Sequence, residues 1–428
     1  MTNAIPQAAL GQILGALIDY RGKTPTKSKS GVKLITAKVI KGGRIEDGNH
    51  EFIAEADYDA WMRRGLPQQW DILITTEAPL GEVAILRTLE KVALAQRVIL
   101  LRADKKFADQ NYLFQALKSP LVQSRLYARG TGTTVLGIKQ SELVRVEIPL
   151  PKLATQRRIA SILSAYDDLI ENNTRRIAIL EEMARRLSEE WFVRFRFPGH
   201  EGVRMVESEM GLIPEGWRVD PLEKVCPSKD GIQTGPFGSQ LHKSDYSSEG
   251  VPVLMPKDLL GFRINTETIA RIPEATAQSL PRHRMKPGDI VYGRRGDIGR
   301  RAFIMAHQSG WFCGTGCLRI RPDPAAINGW YLFNYFGQDN VVGLIAGRAH
   351  GVTMPNLNTR LLASVPVVRP PRSLQDQFEQ VTFPTASLRE TLIAKNINLR
   401  TTRDLLLPKL ISGELDVSTL PGPQAQTI

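Results

Sequence analysis

The chain has 428 residues, too many for one ordinary hydrophobic core, so the sequence predicts two or three domains. Its 42% hydrophobic and 23% charged residues are typical of a soluble globular protein and exclude a chain without a core. The 56 Lys and Arg residues outnumber the 44 Asp and Glu residues, and the net charge of +12 favours a polyanionic partner, although a basic protein without one would have the same balance.

The expected location follows from two features. The start of the chain has no basic segment ahead of its apolar residues, and no run reaches the roughly 18 to 20 apolar residues that a membrane span needs. The three cysteines, Cys226, Cys313 and Cys317, are an odd number, which fits a reducing compartment. We therefore expect a cytoplasmic protein with ordinary or buried thiols.

Residues 1–150 are predicted to form a first mixed α/β domain. Short apolar runs at 32–37, 70–76 and 97–103 are typical of strands, and the pattern at 111–128 is typical of a helix. Gly and Pro residues between these runs predict turns.

A long central helix is predicted within residues 151–197. Apolar residues recur at every third or fourth position from Ile159 to Trp191, with Asn173 inside the seam, which is the spacing of a coiled coil. A helix from about Thr155 to Phe192 would be about 55 Å long, and its apolar seam needs a partner helix.

After this helix, the Pro/Gly break at 198–215 is a predicted linker, and residues 216–371 are predicted to form a second α/β domain. This domain has predicted strands and a predicted helix at 251–256, 289–295, 317–322 and 330–347.

The two halves of the chain repeat each other. The segment GVKLITAKVIKGGRI, beginning at Gly31, aligns with GVPVLMPKDLLGFRI, beginning at Gly250, at an offset of 219 residues. Thr134 and Thr353 have the same offset, and the order of matching segments never changes. This pattern indicates a tandem duplication of an α/β domain followed by a long helix.

The duplication supplies a partner helix within residues 372–408, predicted from about Leu374 to Leu407. Pro384 should kink this helix or split off a short first segment, and Pro408 should end it. Residues 409–428 are a predicted tail, disordered from 420. The predicted fold class is an α/β (α+β) tandem duplication, with two globular domains at opposite ends of two long antiparallel coiled-coil helices.

No catalytic, cofactor-binding or metal-binding motif is recognisable in the sequence. It lacks the glycine loops of nucleotide-binding proteins and the metalloprotease and serine-hydrolase signatures, and its six histidines have no metal-ligand spacing. Asp104 and Lys106 form a minimal D-x-K of the kind that a metal-dependent nuclease uses, but a solvated turn after a strand is the simpler interpretation.

Polar loops at matching positions of the repeat carry the candidate DNA-binding residues. Glycines let backbone amides approach phosphates, Arg can read guanine through two hydrogen bonds, and Lys and Thr bind phosphate oxygens. The candidates of the first half are Tyr20, Arg21, Gly22, Lys23, Thr24, Lys27, Lys38 and Thr133. Those of the second half are Gly235, Phe237, Gly238, Ser239, Lys243, Lys257, Arg294, Arg295, His350 and Thr353.

These loops also have simpler explanations. Surface loops are often basic, and the Gly/Thr loops at 129–134 and 348–353 could serve only as entry turns with capping hydroxyls. Arg294 and Arg295 stand opposite Glu77 and Ala78 of the first half. Two readers of different DNA sequences would show such a difference, and so would an unconstrained loop.

Taken together, four motifs resemble the specificity subunits of type I restriction-modification enzymes. They are IPLPKLATQRRIASIL from Ile148, GLIPEGWRVDPL from Gly211, DIVYGRRGDIG from Asp289 with its counterpart in the first half, and LLLPKLISGELDV from Leu405. The first domain departs from the pattern, because it lacks the P-x-G-W opening found at 214–217.

The resemblance implies two target recognition domains, each reading one half of a bipartite double-stranded DNA sequence. It also implies that the long helices bind two methyltransferase (M) subunits, which methylate adenine N6, and that restriction (R) subunits join them. The chain itself would be non-catalytic and bind no cofactor, with S-adenosylmethionine, ATP and Mg on the partner subunits. Two alternatives stay open: a coiled-coil scaffold that does not bind DNA, and a stand-alone metal-dependent nuclease that uses Asp104.

Overall fold

Two helices, Leu153–Phe192 and Arg372–Ser412, organise the fold. The computed structural model describes residues 5–22, 24–46, 48, 50–260, 263–296, 298–348 and 356–420. The chain divides into unit 1, which comprises Met1–Asn172 and Lys395–Ile428, and unit 2, which comprises Asn173–Ala394. Each unit therefore contains part of both helices. Among the described residues, no helix has an apolar stretch as long as a membrane crossing requires.

Unit 1 is built from short strands and helices. Its strands are β1 (Gln7–Ala9), β2 (Leu14–Asp19), β3 (Val32–Ile35), β4 (Ile40–Lys41), β5 (Arg44–Ile45), β6 (Glu51–Ile53), β7 (Ile72–Thr76), β8 (Leu80–Ile85), β9 (Val92–Leu94), β10 (Val98–Ala103) and β11 (Glu147–Pro149). Its helices are α1 (Tyr58–Trp61), α2 (Gln110–Lys118), α3 (Pro120–Ala128), α4 (Gln140–Leu143), the first part of α5 (Leu153–Phe192) and the last part of the helix Arg372–Ser412.

Unit 2 has a similar set of elements. Its strands are β12 (Met205–Ser208), β13 (Gly211–Pro214), β14 (Arg218–Pro221), β15 (Ile232–Thr234), β16 (Val251–Leu254), β17 (Leu259–Leu260), β18 (Arg263–Ile264), β19 (Ala270–Ile272), β20 (Ile290–Gly293), β21 (Arg301–Phe303), β22 (Phe312–Cys313), β23 (Cys317–Ile320) and β24 (Pro366–Arg369). Its helices include α6 (Glu274–Ser279), α7 (Gly329–Tyr335), α8 (Asp339–Arg348), α9 (Thr359–Ala363) and the first part of α10 (Arg372–Ser412).

Each sheet of unit 1 has a counterpart in unit 2, which also contains the hairpin β12-β13. Unit 1 has an antiparallel four-stranded sheet of order β2-β10-β7-β8, a three-stranded sheet β6-β3-β9, and the pairs β4-β5 and β1-β11. The matching sheets of unit 2 are β15-β23-β20-β21, β19-β16-β22, β17-β18 and β14-β24. In both three-stranded sheets, the last pair of strands is parallel. This correspondence confirms the tandem duplication that the 219-residue repeat predicts.

Each four-stranded sheet lies between two hydrophobic cores, as the inner strands β10 and β23 show. Ile99 and Leu101 of β10 face the core that includes α2, α3 and α5, whereas Val98 and Leu100 face the core of the three-stranded sheet. Successive side chains point to opposite faces of a strand, so a continuous apolar run such as Val98–Leu101 is buried on both sides. In unit 2, Leu318 of β23 is part of the equivalent helix-facing core.

Each unit packs the start of one long helix against the end of the other. In unit 1, Ile159 and Leu163 of α5 share a core with Leu410 and Ile411 of α10. In unit 2, Phe378 of α10 lies in a core with the last residues of α5, and its ring lies 4.9 Å from that of Phe192. The apolar seams of both helices are therefore buried at these ends, as the heptad spacing predicts.

The prediction that Pro408 ends α10 is wrong. Of the two alternatives for Pro384, a kink or a separate first segment, the separate segment is wrong. The helix is continuous from Arg372 to Ser412, so Pro384 does not split off a first segment and Pro408 does not end it. A proline inside a helix costs about 3 kcal/mol or more. Burial of Leu410 and Ile411 in the last turn offsets this cost, because each fully buried aliphatic side chain contributes about 1.5–3 kcal/mol.

Three other boundaries also differ from the predictions. The predicted helix at 111–128 is broken into α2 and α3, because Ser119 caps a new helix that begins with Pro120. The helix predicted at 330–347 is likewise divided into α7 and α8. The predicted linker at 198–215 contains the hairpin β12–β13, whose Ile213 is buried in the core of unit 2. The disorder prediction for 421–428 lies outside the described residues.

A buried glutamine fixes each long helix to its domain. In unit 1, Gln156 Oε1 accepts a hydrogen bond from the Asp109 N–H at 2.8 Å, and its Nε2 donates to the Pro151 carbonyl at 2.8 Å. Asp109 caps α2 by accepting the N–H of Tyr112, whose hydroxyl donates to the Pro149 carbonyl at 2.6 Å. We call this group, Gln156 with Asp109 and Tyr112, the glutamine clasp of unit 1.

The glutamine clasp of unit 2 consists of Gln375, Asn328 and Tyr331, each 219 residues further on. Gln375 accepts the Asn328 N–H at 2.8 Å and donates to the Pro370 carbonyl at 2.7 Å. Tyr331 donates to the Val368 carbonyl. The same polar contacts thus join helix and domain in both halves of the repeat.

A buried ion cluster in unit 1 has no such equivalent. Asp167 of α5 accepts hydrogen bonds from Gln115 and Arg403, both at 2.7 Å, and lies 3.5 Å from Lys118. Burial raises the pKa of this carboxyl, but Lys118, Gln115 and Arg403 together hold the pKa below its ordinary value. In unit 2, the corresponding position holds Ala386, which is buried among apolar residues.

Replacing the glutamine of a clasp should destabilise its unit. Gln156→Ala should lower the free energy of unfolding by about 1–3 kcal/mol, because the Asp109 N–H and the Pro151 carbonyl would lose their partner. Gln375→Ala should act likewise in unit 2. Gln140→Ala, at an exposed position on α4, is the control and should change the free energy by less than about 0.5 kcal/mol. Thermal unfolding of the full chain measures this, and equal effects of Gln156→Ala and Gln140→Ala would contradict the role of the clasp.

Candidate nucleic-acid interface

Four segments of unit 1 meet beside the end of β7 and the beginning of β10. They line a concave pocket of about 380 Å³, formed by Arg21, Gly22, Thr76, Glu77, Gln96, Arg97, Thr131, Val135, Gly137, Ile138 and Lys139. We call these residues the loop cluster of unit 1. Its side chains include three cations and one carboxylate, so the cluster is positively charged.

Hydrogen bonds hold these segments together. The Arg21 guanidinium donates to the Ile138 carbonyl at 2.8 Å, and its Nε donates to Asp19 at 2.8 Å. Asp19 is the last residue of β2, so the strand aims the arginine into the cluster. Thr24 donates to the Gln96 side chain at 3.0 Å, which connects the loop after β2 to the turn before β10.

Unit 2 assembles the equivalent loop cluster from Gly235–Lys243, Arg294–Arg295, Thr315–Gly316 and Asn356–Leu357. Thr315 donates to the Pro236 carbonyl at 2.9 Å, and Arg294 Nε donates to the Asn356 side chain at 3.3 Å. The structure therefore brings together loops that sequence comparison selected separately in each half.

The main chain defines which residues correspond. Glu77 pairs with Gly137 as an isolated antiparallel bridge, and Arg295 pairs with Asn356 in the same way. Ile138 donates its N–H to the Thr76 carbonyl at 2.9 Å, as Leu357 does to that of Arg294. Glu77 is thus the equivalent of Arg295, and the pairing of Glu77 with Arg294 is wrong by one residue. Counting from the aligned Asp71 and Asp289 gives the same pairing as the structure.

Several predicted residues are exposed and available for contact. Phe237 is 54% exposed beside glycine and serine on the loop of unit 2. The other exposed candidates, apart from two paired lysines, are Gly22, Thr24, Lys38, Thr133, Gly238, Ser239, Lys243 and Arg295. Arg294 is half-buried, and burial together with the adjacent charge of Arg295 lowers its pKa, so an anion would relieve this repulsion.

Two further lysines are exposed but already paired. Lys27 Nζ lies 2.8 Å from the Glu51 carboxylate. Lys257 Nζ donates to the Thr268 carbonyl at 2.9 Å and lies 3.2 Å from Asp258. These contacts must rearrange before either lysine can bind a phosphate.

Two of the predicted residues are buried. Tyr20 is only 4% exposed, since its ring stacks on Trp61 at 5.6 Å and its hydroxyl donates to the Gly65 carbonyl. Gly235 is buried, and its N–H already donates to the Cys317 carbonyl at 3.0 Å. Both residues are therefore buried parts of the loops and support the exposed residues beside them. Lys23, His350 and Thr353 lie outside the described residues.

Sequence reasoning missed Gln96, Arg97 and Lys139. Lys139 ends the segment GTTVLGIK, which the repeat had already matched to the second half, so that match was a usable signal. Arg97 had no such signal, because Gly316 stands at the equivalent position of unit 2.

Groups with catalytic potential lie elsewhere. Asp104 accepts a hydrogen bond from the Lys106 N–H at 3.0 Å within a turn. Cys313 and Cys317 are buried, which raises the pKa of Cys313 to about 12 and that of Cys317 well above its ordinary value. No group of three or more His, Cys, Asp or Glu side chains in the described part of the chain could hold a metal ion.

A family model described as the type I restriction modification DNA specificity domain matches residues 64–182, which run from before β7 into α5. Over 358 residues the chain is 28% identical to the type I restriction enzyme MjaIX specificity subunit of Methanocaldococcus jannaschii, covering 82% of this chain and 78% of that protein. It is 32% identical to the MjaVIII specificity subunit of the same organism over 203 residues, 47% of this chain and 45% of that protein.

The crystal structure of a type I restriction-modification S subunit from M. genitalium shares the fold. The TM-score is 0.60 at 17% identity, over 95% of this chain and 96% of that one. The chain is therefore similar to the specificity subunits of type I restriction-modification systems, and the resemblance predicted from its motifs is confirmed.

Two glycines of the unit 2 loop should respond differently to substitution. Gly235→Ala would place Cβ 1.9 Å from the Gly314 carbonyl oxygen and should lower the free energy of unfolding by about 1–3 kcal/mol or more. For Gly238→Ala, no atom lies within 4 Å of the new Cβ, so folding should be unchanged. Thermal unfolding of the two variants distinguishes them, and an equally stable Gly235→Ala protein would contradict the buried role of Gly235.

Proposed function

We propose that this chain gives a type I restriction-modification complex its DNA sequence specificity, by reading a bipartite double-stranded target with the loop clusters of its two units. The observation that carries the proposal is the matched pair of clusters. Both arise from the same strands and the same main-chain pairing, and their side chains differ at equivalent positions. Two different half-sites require two different sets of base-contacting side chains, and the two units present such sets on the same fold.

The long helices are the proposed docking surface for two M subunits. Apolar side chains are exposed on α5 in unit 2, where Ile179 and Met183 are each more than half exposed, and on α10 in unit 1, where Leu405 is also exposed. Exposed apolar side chains on helices favour docking of a partner.

On this proposal, the M subunits carry S-adenosylmethionine and methylate adenine N6, and R subunits supply ATP- and Mg-dependent steps. The sequence lacks the N-P-P-[YF] motif of such methyltransferases, which supports the assignment of the chemistry to a partner. We place the complex in the cytoplasm, where its DNA is.

The two alternatives predict different behaviour. A scaffold that does not bind DNA would show no salt-dependent affinity for duplexes. A stand-alone nuclease would cut DNA without partners, and Asp104→Ala would abolish cutting. Mapping N6-methyladenine in cells that carry the chain with its M partner tests the proposal directly. A bipartite methylated motif is expected, and a continuous motif or no motif would contradict it.

Lys38→Ala and Lys243→Ala should each weaken duplex binding about equally for all sequences. Removing one phosphate contact should reduce the slope of log affinity against log salt concentration by about 1. Both lysines are exposed, Lys38 in unit 1 and Lys243 in unit 2. The control is Lys91→Ala, which removes the same charge from a lysine 2.7 Å from Glu55 and should leave the slope unchanged. Equal slopes for all three variants would contradict phosphate contacts at Lys38 and Lys243.

Shortening both long helices should shorten the non-specific spacer of the target. Removing seven residues from the middle of α5 and of α10 takes out about 10 Å of helix, or about three base pairs at 3.4 Å per pair. Methylation mapping should then return the same two half-sites with a shorter spacer. Altered half-sites at an unchanged spacing would contradict this account.

A further inference from the structure

The clearest difference between the two loop clusters is a reversal of charge at one position. Glu77 and Arg295 are held by the same kind of main-chain bridge, and the residue before each accepts an N–H from the neighbouring segment at 2.9 Å. The backbone therefore presents both side chains from the same place in the scaffold. One side chain is an anion that only accepts hydrogen bonds, and the other is a cation that only donates them.

Glu77 is oriented by a second residue specific to unit 1. Its carboxylate forms an ion pair with Arg97, whose Nε lies 2.7 Å from Glu77 Oε1, and Gly316 occupies the position of Arg97 in unit 2. The Glu77 side chain remains 41% exposed, so this contact orients the carboxylate without covering it. The ion pair holds one rotamer of Glu77 at the edge of the pocket.

A carboxylate is costly in a surface that faces phosphates. Like charges repel, and the surrounding cations Arg21, Arg97 and Lys139 are the groups that attract the backbone of DNA. A carboxylate at such a place can contact DNA directly and favourably by accepting a hydrogen bond from a donor on a base. In the major groove, these donors are the amino groups of cytosine N4 and adenine N6.

We propose that Glu77 is a specificity-determining residue that accepts a hydrogen bond from the amino group of cytosine or adenine in the half-site of unit 1. Arg295 at the equivalent position donates to a base acceptor, O6 or N7 of guanine, in the half-site of unit 2. Arg97 is a positioning residue for Glu77. This inference rests on the proposed function and adds the chemical class of base that each unit reads at this position.

The first experiment maps N6-methyladenine in cells that carry the full chain, or a variant, with its M partner. Glu77→Arg should change the preferred base at one position of one half-site and leave the other half-site unchanged. Arg295→Glu should change the other half-site. Glu90→Gln is the matched control for Glu77, because Glu90 is an exposed carboxylate 2.9 Å from Lys33, outside the cluster, and should leave both half-sites unchanged.

The second experiment remains informative if charge reversal prevents assembly. The nearly isosteric Glu77→Gln complex is titrated against the mapped target and against duplexes that carry each single base substitution. Discrimination should fall by roughly 5- to 150-fold at one position only, the range expected for loss of one good base contact. Folding is monitored in parallel by thermal unfolding of the same complex.

Three results would overturn the inference: an unchanged motif and unchanged discrimination in the Glu77 variants, a change in the same half-site for Glu77 and Arg295, or an equal loss of affinity for every duplex. Failure of the proposed function looks different, because the unmodified complex would then yield no bipartite methylated motif. The two failures are therefore distinguishable.

Discussion

The buried glutamine at the start of each long helix is the contact on which the rest of the structure depends. Gln156 and Gln375 satisfy a main-chain donor and a main-chain acceptor of their domains, and neither group can exchange its partner for water. Each helix therefore has one register on its domain. Because Ile159 and Leu163 lie in the same core as Ile72 and Ile99 of the four-stranded sheet, the loops that leave this sheet are fixed to the helix as well.

The two halves share the contacts that stabilise the fold and differ in residues that do not contribute to it. The glutamine clasps, the sheet order and the paired loops recur at an offset of 219 residues, whereas the exposed side chains at the loop clusters differ. The junctions between helix and domain differ too. In unit 1, Asp167 is held by two cations and an amide, whereas Ala386 stands at that position in unit 2, close to Ala184 and Trp330.

The sequence predicted the features that follow from a period or a repeat. The heptad spacing gave both long helices, and the repeat gave the duplicated domain and the pairing of loops. The features that the sequence did not predict depend on contacts with residues that are distant in the chain. The sequence predicts that Pro408 ends the helix, because the burial of Leu410 and Ile411 that outweighs its cost is recognised only in the folded core. Tyr20 and Gly235 were predicted to contact DNA from loops. In the fold, the Tyr20 ring stacks on Trp61, and the Gly235 N–H donates to the Cys317 carbonyl.

The division of the chain into units has a consequence for its synthesis. Unit 2 is one continuous stretch, but the core of unit 1 needs Leu407, Leu410 and Ile411, which follow the whole of unit 2. At about 5–20 residues per second, roughly 10 to 45 s separate the two parts of unit 1 as they leave the ribosome. The unit encoded second can therefore complete its fold first, and until then the first domain exposes apolar surface that only the final helix covers.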